Sequence, residues 1–328
     1  MNRRHFLSTT AAAGLASLPL GLRAQQDYPS QSVRLIIPFA PGGQTDILAR
    51  LYSQHMGTIT GQTFIPENRA GAGGSVGSVS VMRAKPDGYT LLMATSSSHA
   101  ISPQIMDPRP YDVEKDFTPI SLLAIIPMVI VVHPSFPAKT LEELVAIVKA
   151  EPGQHNYGSA GIGSINHLTG EMLKSEANLP GLVHVPYKGT GQSLQDLVGG
   201  QIKIATTTFS SVLDHARSGR LRILAVCAEK RSAAAPEVPT TGEAGYPGVI
   251  SATYNMICGP AGMPEAVVKK LASDSHTFIN NPELKLQLQK GLIEPVTDST
   301  PQSAREFLIR EYQRLTPIIK ASRTDQRA

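Results

Sequence analysis

Tryptophan is absent from the 328 residues, aromatic residues make up 5% of them, and there are only two cysteines. The lack of tryptophan argues against a sugar site built on ring stacking. The nine histidines are scattered, with no His-x-x-x-His pair and no cluster with cysteine, so no metal site is expected. No basic tract or basic patch with interleaved aromatic residues is present, which argues against nucleic acid as a partner. No cofactor is predicted.

The first residues read as an export signal. Arg3 and Arg4 form a twin-arginine pattern, an apolar, alanine-rich run follows over residues 9–22, and Ala24 is a small residue at its end. The run is shorter than the roughly 20 apolar residues of a membrane span, and no later run is long enough. We therefore expect residues 1–24 to be a cleaved twin-arginine signal and the mature protein to lie in the periplasm.

Removing that segment nearly balances the charge. The chain has 30 Lys and Arg against 26 Asp and Glu, and residues 1–24 carry three arginines and no acid, which leaves 27 against 26, a net +1.

Cys227 and Cys258 lie in apolar runs typical of strands. We favour two buried thiols, and a disulfide formed in an oxidising compartment is the alternative.

The mature chain is long for one hydrophobic core, which favours two lobes. Predicted strands at residues 33–37, 63–68 and 89–95 alternate with helices at 46–56 and 77–84, the pattern of a doubly wound parallel sheet. The fold class is α/β, a type II-like two-lobed periplasmic binding protein architecture with a mostly parallel sheet flanked by helices in each lobe.

Two chain crossings between the lobes predict a hinged clamshell. The apolar stretch 119–132 is interrupted at Pro127 and reads as one strand leaving the first lobe and another entering the second. Residues 221–228 read as the crossing back. We expect residues 25–125 and 222–328 to form lobe 1 and residues 126–221 to form lobe 2. Thr140 and Glu143 form a capping box at the start of a helix.

Three loops rich in small residues, within segments 38–50, 156–163 and 183–191, each follow a strand and precede a helix. Backbone N–H groups at a helix N-terminus have no partner within the helix and attract anions. Ligands of open α/β sheets bind beyond the carboxyl ends of the strands. The three loops therefore predict a cleft that recognises a small anion.

Ser75 offers a competing hypothesis. Gly73-Gly-Ser75-Val-Gly77 matches the G-x-S-x-G pattern of secreted serine hydrolases, but residues 69–73 separate the preceding strand from the serine, and the elbow requires a strand directly before it. Gly71, Gly73 and Gly77 also fit a dinucleotide fingerprint poorly, since the third glycine is displaced by one. A flexible glycine loop is the simpler interpretation.

The chain resembles the Bug family, the extracytoplasmic solute receptors of tripartite tricarboxylate transporters. The resemblance rests on residues 38–50, 67–74, 85–89, 116–119 and 185–190, and on a Pro-Glu-Val-Pro-Thr string from Pro236. These motifs follow in order from about Tyr28 to the C-terminus. The resemblance implies a binding protein, not an enzyme, that captures a small organic carboxylate and presents it to membrane transporter subunits. A periplasmic sensor for a signalling partner is an alternative, and a monomer is expected.

The resemblance also implies a ligand site at the first glycine loop and the Ser-Ala-Gly loop, partly through ordered waters. The residues at those positions are Gly42, Gly43, Thr45, Ser159, Ala160 and Gly161. Phe39 and Tyr187 flank the loops and are expected to hold the carbon skeleton of the ligand, although core packing is the alternative for Phe39. Ser96, Ser97, Thr206 and Thr207 complete the predicted site.

The sequence departs from many relatives at Thr206-Thr-Thr208, where they carry an acidic residue. Threonine hydroxyls donate and accept hydrogen bonds but cannot neutralise a buried cation. We therefore expect the ligand to be a carboxylate without an amino group.

Overall fold

A computed structural model describes residues 28–232, 235–291 and 293–325. The predicted export signal lies outside them. These residues form ten strands in one sheet. The strands are β1 Val33–Ile37, β2 Phe64–Asn68, β3 Thr90–Ala94, β4 Phe117–Val132, β5 Asn156–Ser159, β6 Val183–Pro186, β7 Ile204–Thr208, β8 Arg222–Val226, β9 Ala252–Pro260 and β10 Glu294–Pro295.

Eight strands follow the order β2-β1-β3-β9-β4-β7-β5-β6, and β8 and β10 also pair with β4. β1 pairs in parallel with β2 and β3, and β5 pairs in parallel with β6 and β7. The long strands β4 and β9 run antiparallel between these two groups. We call the β1–β3 side, with β9 and β10, lobe 1 and the β5–β8 side lobe 2. The predicted α/β class and parallel strand groups are confirmed.

Helices cover both faces of the sheet. They are α1 Gln44–Thr60, α2 Ser75–Met82, α3 Ser102–Ile105, α4 Leu141–Ala150, α5 Ile165–Glu176, α6 Thr190–Val198, α7 Phe209–Arg217, α8 Glu265–Ile279, α9 Pro282–Lys290 and α10 Pro301–Asp325. α4 begins where the capping box predicts, with the Thr140 side chain accepting a hydrogen bond from the Glu143 N–H.

β1 shows why its sequence is apolar at four of its five positions. Val33, Leu35 and Ile37 pack in one hydrophobic core, whereas Ile36 packs in the core on the opposite face. Successive side chains of a strand point to opposite faces, and a parallel strand covered on both sides is apolar on both faces. The exception is Arg34, whose side chain is 43% exposed and pairs with Glu67 at 2.7 Å.

The predicted break at Pro127 is a change of partners within one strand. β4 is continuous over 16 residues. It pairs with β9 up to Pro127, with β7 from Met128 onward and with β8 from Val129 onward. Proline has no N–H to donate and is tolerated where a ladder ends, so the residue marks the passage from lobe 1 to lobe 2 without interrupting the strand.

The predicted return crossing at residues 221–228 is wrong. β8 pairs with the lobe 2 part of β4, with Val129 opposite Val226. The chain reaches lobe 1 later, after Ser251, whose N–H donates to the Cys227 carbonyl and whose carbonyl accepts from the Met128 N–H. The exact lobe limits remain a proposal, and this pairing moves the second proposed limit from residue 222 to about Ser251.

α10 is a further connection between the lobes that the two predicted crossings omit. Leu308 packs in a lobe 1 core, whereas Leu315 and Ile319 pack in a lobe 2 core.

Cys227 and Cys258 are free and buried, as favoured from the sequence. In the described part of the chain, no helix has the length and apolar character that a membrane crossing needs.

Candidate functional site

Four helices begin around one small cavity between the lobes. We call it the inner cavity. From lobe 1 it is lined by Phe39, Ala40, Gly43, Gln44, Thr45 and Asp46, with Thr95, Ser97 and Thr253. From lobe 2 it is lined by Ala160, Ile165, Asn166, Thr190 and Thr208. It encloses about 30 Å³, room for about two water-sized groups.

The helix starts supply unpaired donors. The residues that precede α1, α6 and α7 are Gly43, Gly189 and Thr208, and none of them accepts a capping hydrogen bond through its side chain from a backbone N–H of the helix that follows. The first N–H groups of these helices thus lack the usual cap. α5 differs, because the Ser164 side chain accepts from the His167 N–H. Three uncapped N-termini facing one cavity create a positive potential there.

Asp46 is the one ionisable residue among the described residues that line the inner cavity. Its carboxylate accepts from the Gly42 N–H at 3.1 Å, from Asn68 Nδ2 at 2.9 Å and from Arg50 Nε at 3.0 Å. Burial alone would raise the pKa of Asp46, but the hydrogen bonds from Arg50, Asn68 and Gly42 outweigh it and lower the pKa. The ionised carboxylate thus holds the glycine loop in place, and Arg50 neutralises the charge of that carboxylate.

Gln44 places in the cavity wall a side-chain amide that is not fully hydrogen-bonded. Its Nε2 lies 2.9 Å from Asn255 Oδ1, whereas its Oε1 and the Asn255 Nδ2 have no partner. Exchanging the oxygen and nitrogen positions in both amides keeps the bond between the residues. The Gln44 amide then presents an N–H donor, which suits a carboxylate oxygen.

The lobes are in contact across the cleft. The Ile165 N–H at the start of α5 donates to Ser97 Oγ at 2.9 Å. A Cβ on Gly191 would lie 2.9 Å from the Pro41 carbonyl oxygen, closer than such atoms approach. Glycine therefore allows α6 of lobe 2 to meet the first glycine loop of lobe 1, and the cleft is closed in this structure.

A second cavity lies beside the first, and we call it the outer cavity. It encloses about 230 Å³ and is lined by Phe39 and by residues 71–74, 160–162 and 186–188. Phe39 and Ala160 line both cavities. Gly161 and Tyr187, two predicted site residues, lie in the wall of the outer cavity.

The structure thus distributes the predicted site residues over three places. Phe39, Gly43, Thr45, Ser97 and Ala160 line the inner cavity. Gly161 and Tyr187 line the outer cavity. The five that line neither are Gly42, Ser96, Ser159, Thr206 and Thr207.

Most of those five act on residues that do line a cavity. Gly42 holds Asp46, as described, and Ser96 Oγ donates to Thr253 Oγ1 at 3.0 Å. Thr206 Oγ1 donates to the Asn166 carbonyl at 2.6 Å, and Asn166 Nδ2 donates back to the Thr206 carbonyl. The Thr206 hydroxyl is therefore already hydrogen-bonded within lobe 2, and Thr208, at the end of β7, is the threonine that lines the cavity.

A buried polar cluster supports the Ser-Ala-Gly loop from behind. Ser159 Oγ accepts from the Gly161 N–H at 3.0 Å and lies 2.6 Å from His184 Nε2. The His184 ring stacks on His167 at 4.2 Å. Burial lowers the pKa of His184 to about 3, with help from His167 and Lys174, so the imidazole is neutral and can hold Ser159 through a neutral hydrogen bond.

Sequence reasoning missed nine of the inner-cavity residues. They are Ala40, Gln44, Asp46, Thr95, Ile165, Asn166, Thr190, Thr208 and Thr253. Several carried a readable signal, because Gln44 and Thr190 are the first residues of helices that follow the glycine loops. Thr253 carried none, since only its pairing within β9 brings it to the cavity.

Ser75 is the first residue of α2, is 3% exposed, and follows a short 3₁₀ turn at Ala72–Gly74 rather than a strand. Its hydroxyl lies 3.3 Å from Tyr111 OH. This geometry is not that of a nucleophile elbow, which presents an exposed serine directly after a strand.

The family model described as "Tripartite tricarboxylate transporter family receptor" matches residues 48–323. The chain belongs to this family. Protein BugT of Bordetella pertussis is similar to this receptor, with 32% identity over 311 residues, 94% of each chain. The predicted Bug resemblance is confirmed.

Two solved structures are similar to this receptor over nearly their whole length. The Rhodopseudomonas palustris protein Rpa4515, solved with adipate, is 30% identical with a TM-score of 0.86 and covers 90% of this chain and 98% of its own. MatC of the same organism, solved with bound malate, is 29% identical with a TM-score of 0.85 and covers 89% and 100%. The protein is therefore a periplasmic solute-binding receptor of the TctC/Bug type, and the hydrolase hypothesis for Ser75 is wrong.

Proposed function

We propose that this receptor captures a small organic carboxylate by seating one carboxylate group in the inner cavity. The observation that carries the proposal is the convergence of three uncapped helix N-termini on that cavity. Each contact between an anion and a helix N-terminus contributes typically 0.3–1 kcal/mol, and up to about 2 when partly buried. No lysine or arginine stands among the described residues that line the inner cavity, so oriented dipoles carry the recognition.

The relatives solved with adipate and malate support carboxylates as the ligand class. The wall of the inner cavity disfavours an ammonium group on the ligand. Asp46 is the acid that could pair with such an ammonium, and Asp46 already pairs with Arg50. Burying an ammonium without a free counter-charge is expensive, so we propose that the ligand lacks an amino group.

Calorimetry with succinate, glutarate and malate tests the proposal, together with Gly43→Ala. A Cβ at Gly43 would lie 3.6 Å from Thr190 Cβ, an ordinary contact that fills the space between two lining residues without straining the chain. We expect this variant to fold and to lose carboxylate binding. Gly57→Ala is the matched control, because Gly57 lies within α1, the helix that Gly43 precedes, has a similar 3.7 Å contact and is away from the cavity. Equal binding by both variants would overturn the proposal.

The membrane partner follows from the family. We propose that the loaded receptor delivers its ligand to transporter subunits of the tripartite tricarboxylate type, with a periplasmic sensor role as the alternative. Deleting the gene separates the two, because a transport role abolishes uptake of labelled ligand whereas a sensor role changes only the response to it.

We propose export through the twin-arginine route, on the basis of Arg3 and Arg4. That route reads the arginine pair itself, so replacing both with lysine should abolish periplasmic delivery. Normal periplasmic yield of the double variant, in cells where only this route operates, would contradict the assignment.

A further inference from the structure

Two histidines of lobe 2 lie behind the Ser-Ala-Gly loop, outside the walls of both cavities. His184 belongs to β6 and His167 to α5, and their ring centroids are 4.2 Å apart in a stacked arrangement. Both side chains are partly exposed, so protons can reach them from solvent while the lobe stays folded. The proposed function gives neither histidine a role.

The hydrogen bonds of Ser159 assign the protonation state of His184. The Ser159 hydroxyl accepts from the Gly161 N–H at 3.0 Å, and its own hydrogen has two acceptors within reach. His184 Nε2 lies at 2.6 Å and the Gly161 carbonyl oxygen at 3.4 Å. The shorter contact assigns the hydrogen bond to Nε2, which requires a neutral ring with its proton on Nδ1. A doubly protonated ring has no acceptor nitrogen and would break this arrangement.

Gly161 connects this hydrogen bond to the first turn of α5. Its carbonyl accepts from Ser164 Oγ at 2.6 Å, and Ser164 Oγ accepts from the His167 N–H at 3.1 Å. Ala160 lines both cavities, and Ile165 lines the inner one. The loop that contributes lobe 2 residues to the site is therefore held by an imidazole at its start and by a helix cap at its end.

A proton added to the histidine pair would find no free counter-charge. In the described part of the chain, the charged and titratable groups around the two rings are Tyr157, Glu171 and Lys174. Glu171 already accepts from Tyr157 OH at 2.7 Å and from Lys174 Nζ at 3.0 Å. Burial first, and then repulsion from His167 and Lys174, lower the pKa of His184 to about 3.

Acid therefore destabilises this form of the loop. Once released from the cluster, His184 regains its ordinary pKa of 6.5. A histidine whose pKa is lower in the ordered form stabilises that form fully above pH 6.5, and this stabilisation is lost as the pH falls from 6.5 toward about 3. Within that window, each pH unit lowers the ratio of ordered to released loop by about tenfold.

We infer that His184 is a positioning residue for ligand capture, whose neutral imidazole holds Ser159, and through Ser159 the Ser-Ala-Gly loop, in the form that binds the ligand. Protonation of His184 frees the loop, so the receptor releases its ligand in acid. This inference rests on the proposed function, because the loop forms part of the carboxylate site. It assigns to the two stacked histidines the regulation of that site by pH.

Calorimetry with succinate, glutarate and malate at about pH 7.5 and about pH 5.5 tests the inference. His184→Gln keeps an oxygen that accepts from Ser159 but does not titrate, and it should bind near wild type at the higher pH. Between the two pH values, wild type should lose about three- to tenfold more affinity than this variant, where tenfold is the limit for one proton. Protonation of the ligand itself is the same in both and cancels in the comparison.

Two further variants separate positioning from a purely structural role. Ser159→Ala removes the connection and leaves both histidines in place, so it should bind more weakly at about pH 7.5 and share the shallow pH profile of His184→Gln. His155→Gln is the matched control, at a partly exposed histidine of lobe 2 that contacts Glu151 instead of the loop, and it should keep the wild-type profile. Urea unfolding at about pH 7.5 shows which variants are folded.

Identical pH profiles in wild type and His184→Gln would overturn the role of His184 while the proposed function stands. A wild-type pH profile in Ser159→Ala would overturn it as well. If His184→Gln does not fold, the comparison of Ser159→Ala with wild type decides the matter. If none of the three carboxylates binds to wild type at about pH 7.5, the proposed function fails and this inference fails with it.

Discussion

The hydroxyl of Ser97 in lobe 1 accepts a 2.9 Å hydrogen bond from the backbone N–H of Ile165 in lobe 2. Both residues line the inner cavity, and the amide is the first of α5, one of the groups that a helix leaves without an internal partner. The bond is present only when the lobes meet, so it links closure of the cleft to completion of the ligand site.

Ser97→Ala should therefore weaken ligand binding. Closure would bury the Ile165 N–H without a partner, which costs about 1–3 kcal/mol and corresponds to a loss of affinity of about fivefold or more. Calorimetry measures the affinity, and small-angle scattering should show a smaller radius of gyration for wild type with saturating ligand, since ligand shifts the population toward the form that binds it better.

Ser273→Ala, at an exposed position of α8, is the control and should bind as wild type does. Wild-type affinity in Ser97→Ala would show that the bond between the lobes contributes nothing to closure.

The lowered pKa of Asp46 predicts an acid-labile contribution to stability. A carboxyl group whose pKa is lower in the folded state stabilises the fold fully above its unfolded-state value of 3.8, and this contribution is lost as the pH falls through the folded-state value. The difference in unfolding free energy between wild type and Asp46→Asn, measured with urea, should therefore shrink below pH 3.8.

Arg50→Gln gives an independent check on the same carboxylate. Without its largest stabilising partner, the burial of Asp46 gains weight and its pKa rises. The acid-induced loss of stability should then be smaller than in wild type and be complete at a higher pH, because it runs from the unfolded-state pKa down to the folded-state pKa. An identical pH profile in wild type and Arg50→Gln would contradict the proposed balance.

Local features of the fold were predictable from the sequence. The apolar residues of β1 on either side of the sheet reflect burial on both faces, and the capping box at Thr140 lies where α4 begins. The continuity of β4 was not predictable, because proline interrupts a strand in most contexts, whereas Pro127 lies where β4 changes its pairing partners. The position of β8 depends on pairing with a segment 90 to 97 residues earlier, which no local pattern encodes.

The site was predictable only where one loop supplies it. Gly43 and Thr45 were found because the glycine loop and the following helix are contiguous, and they line the inner cavity. Gln44 lies between them, but its partner Asn255 is 211 residues away in the chain. The role of Thr208 rather than Thr206 depends on which hydroxyl is already bonded, here by Asn166, and this is a property of packing.

The backbone of the Ser-Ala-Gly loop should tolerate no side chain at Gly161. Its φ of +113° disfavours any residue with a Cβ, and that Cβ would lie 2.6 Å from the Tyr187 carbonyl oxygen. Gly153 has a φ of +81° and open space around it, so Gly153→Ala isolates the conformational cost of about 1–2 kcal/mol. Gly161→Ala should lose at least about 1 kcal/mol more in unfolding free energy, since the collision adds strain. Equal losses in urea unfolding would mean that the loop relaxes freely.

The absence of a free counter-charge in the inner cavity predicts a preference against amino acids. Wild type should bind succinate and glutarate more tightly than aspartate and glutamate, because an ammonium would be buried against threonine hydroxyls and an Asp46 that Arg50 already neutralises. Calorimetry with these two matched pairs measures the preference directly. Tighter binding of the amino acids would show that the threonines have been misinterpreted.

Thr208→Asp should shift that preference. Thr208 lines the inner cavity and precedes α7, a position where aspartate is favoured as a cap, so the variant should fold. Its new carboxylate should weaken succinate by like-charge repulsion and strengthen aspartate relative to it. Thr208→Asn, which caps the helix without adding charge, should leave the preference near wild type. Thr207→Asp should instead destabilise the fold without admitting amino acids, because Thr207 is buried on the opposite face of β7 and an aspartate there would be an unpaired buried charge. If Thr208→Asp and Thr208→Asn discriminate between aspartate and succinate equally, charge at this position does not select the ligand.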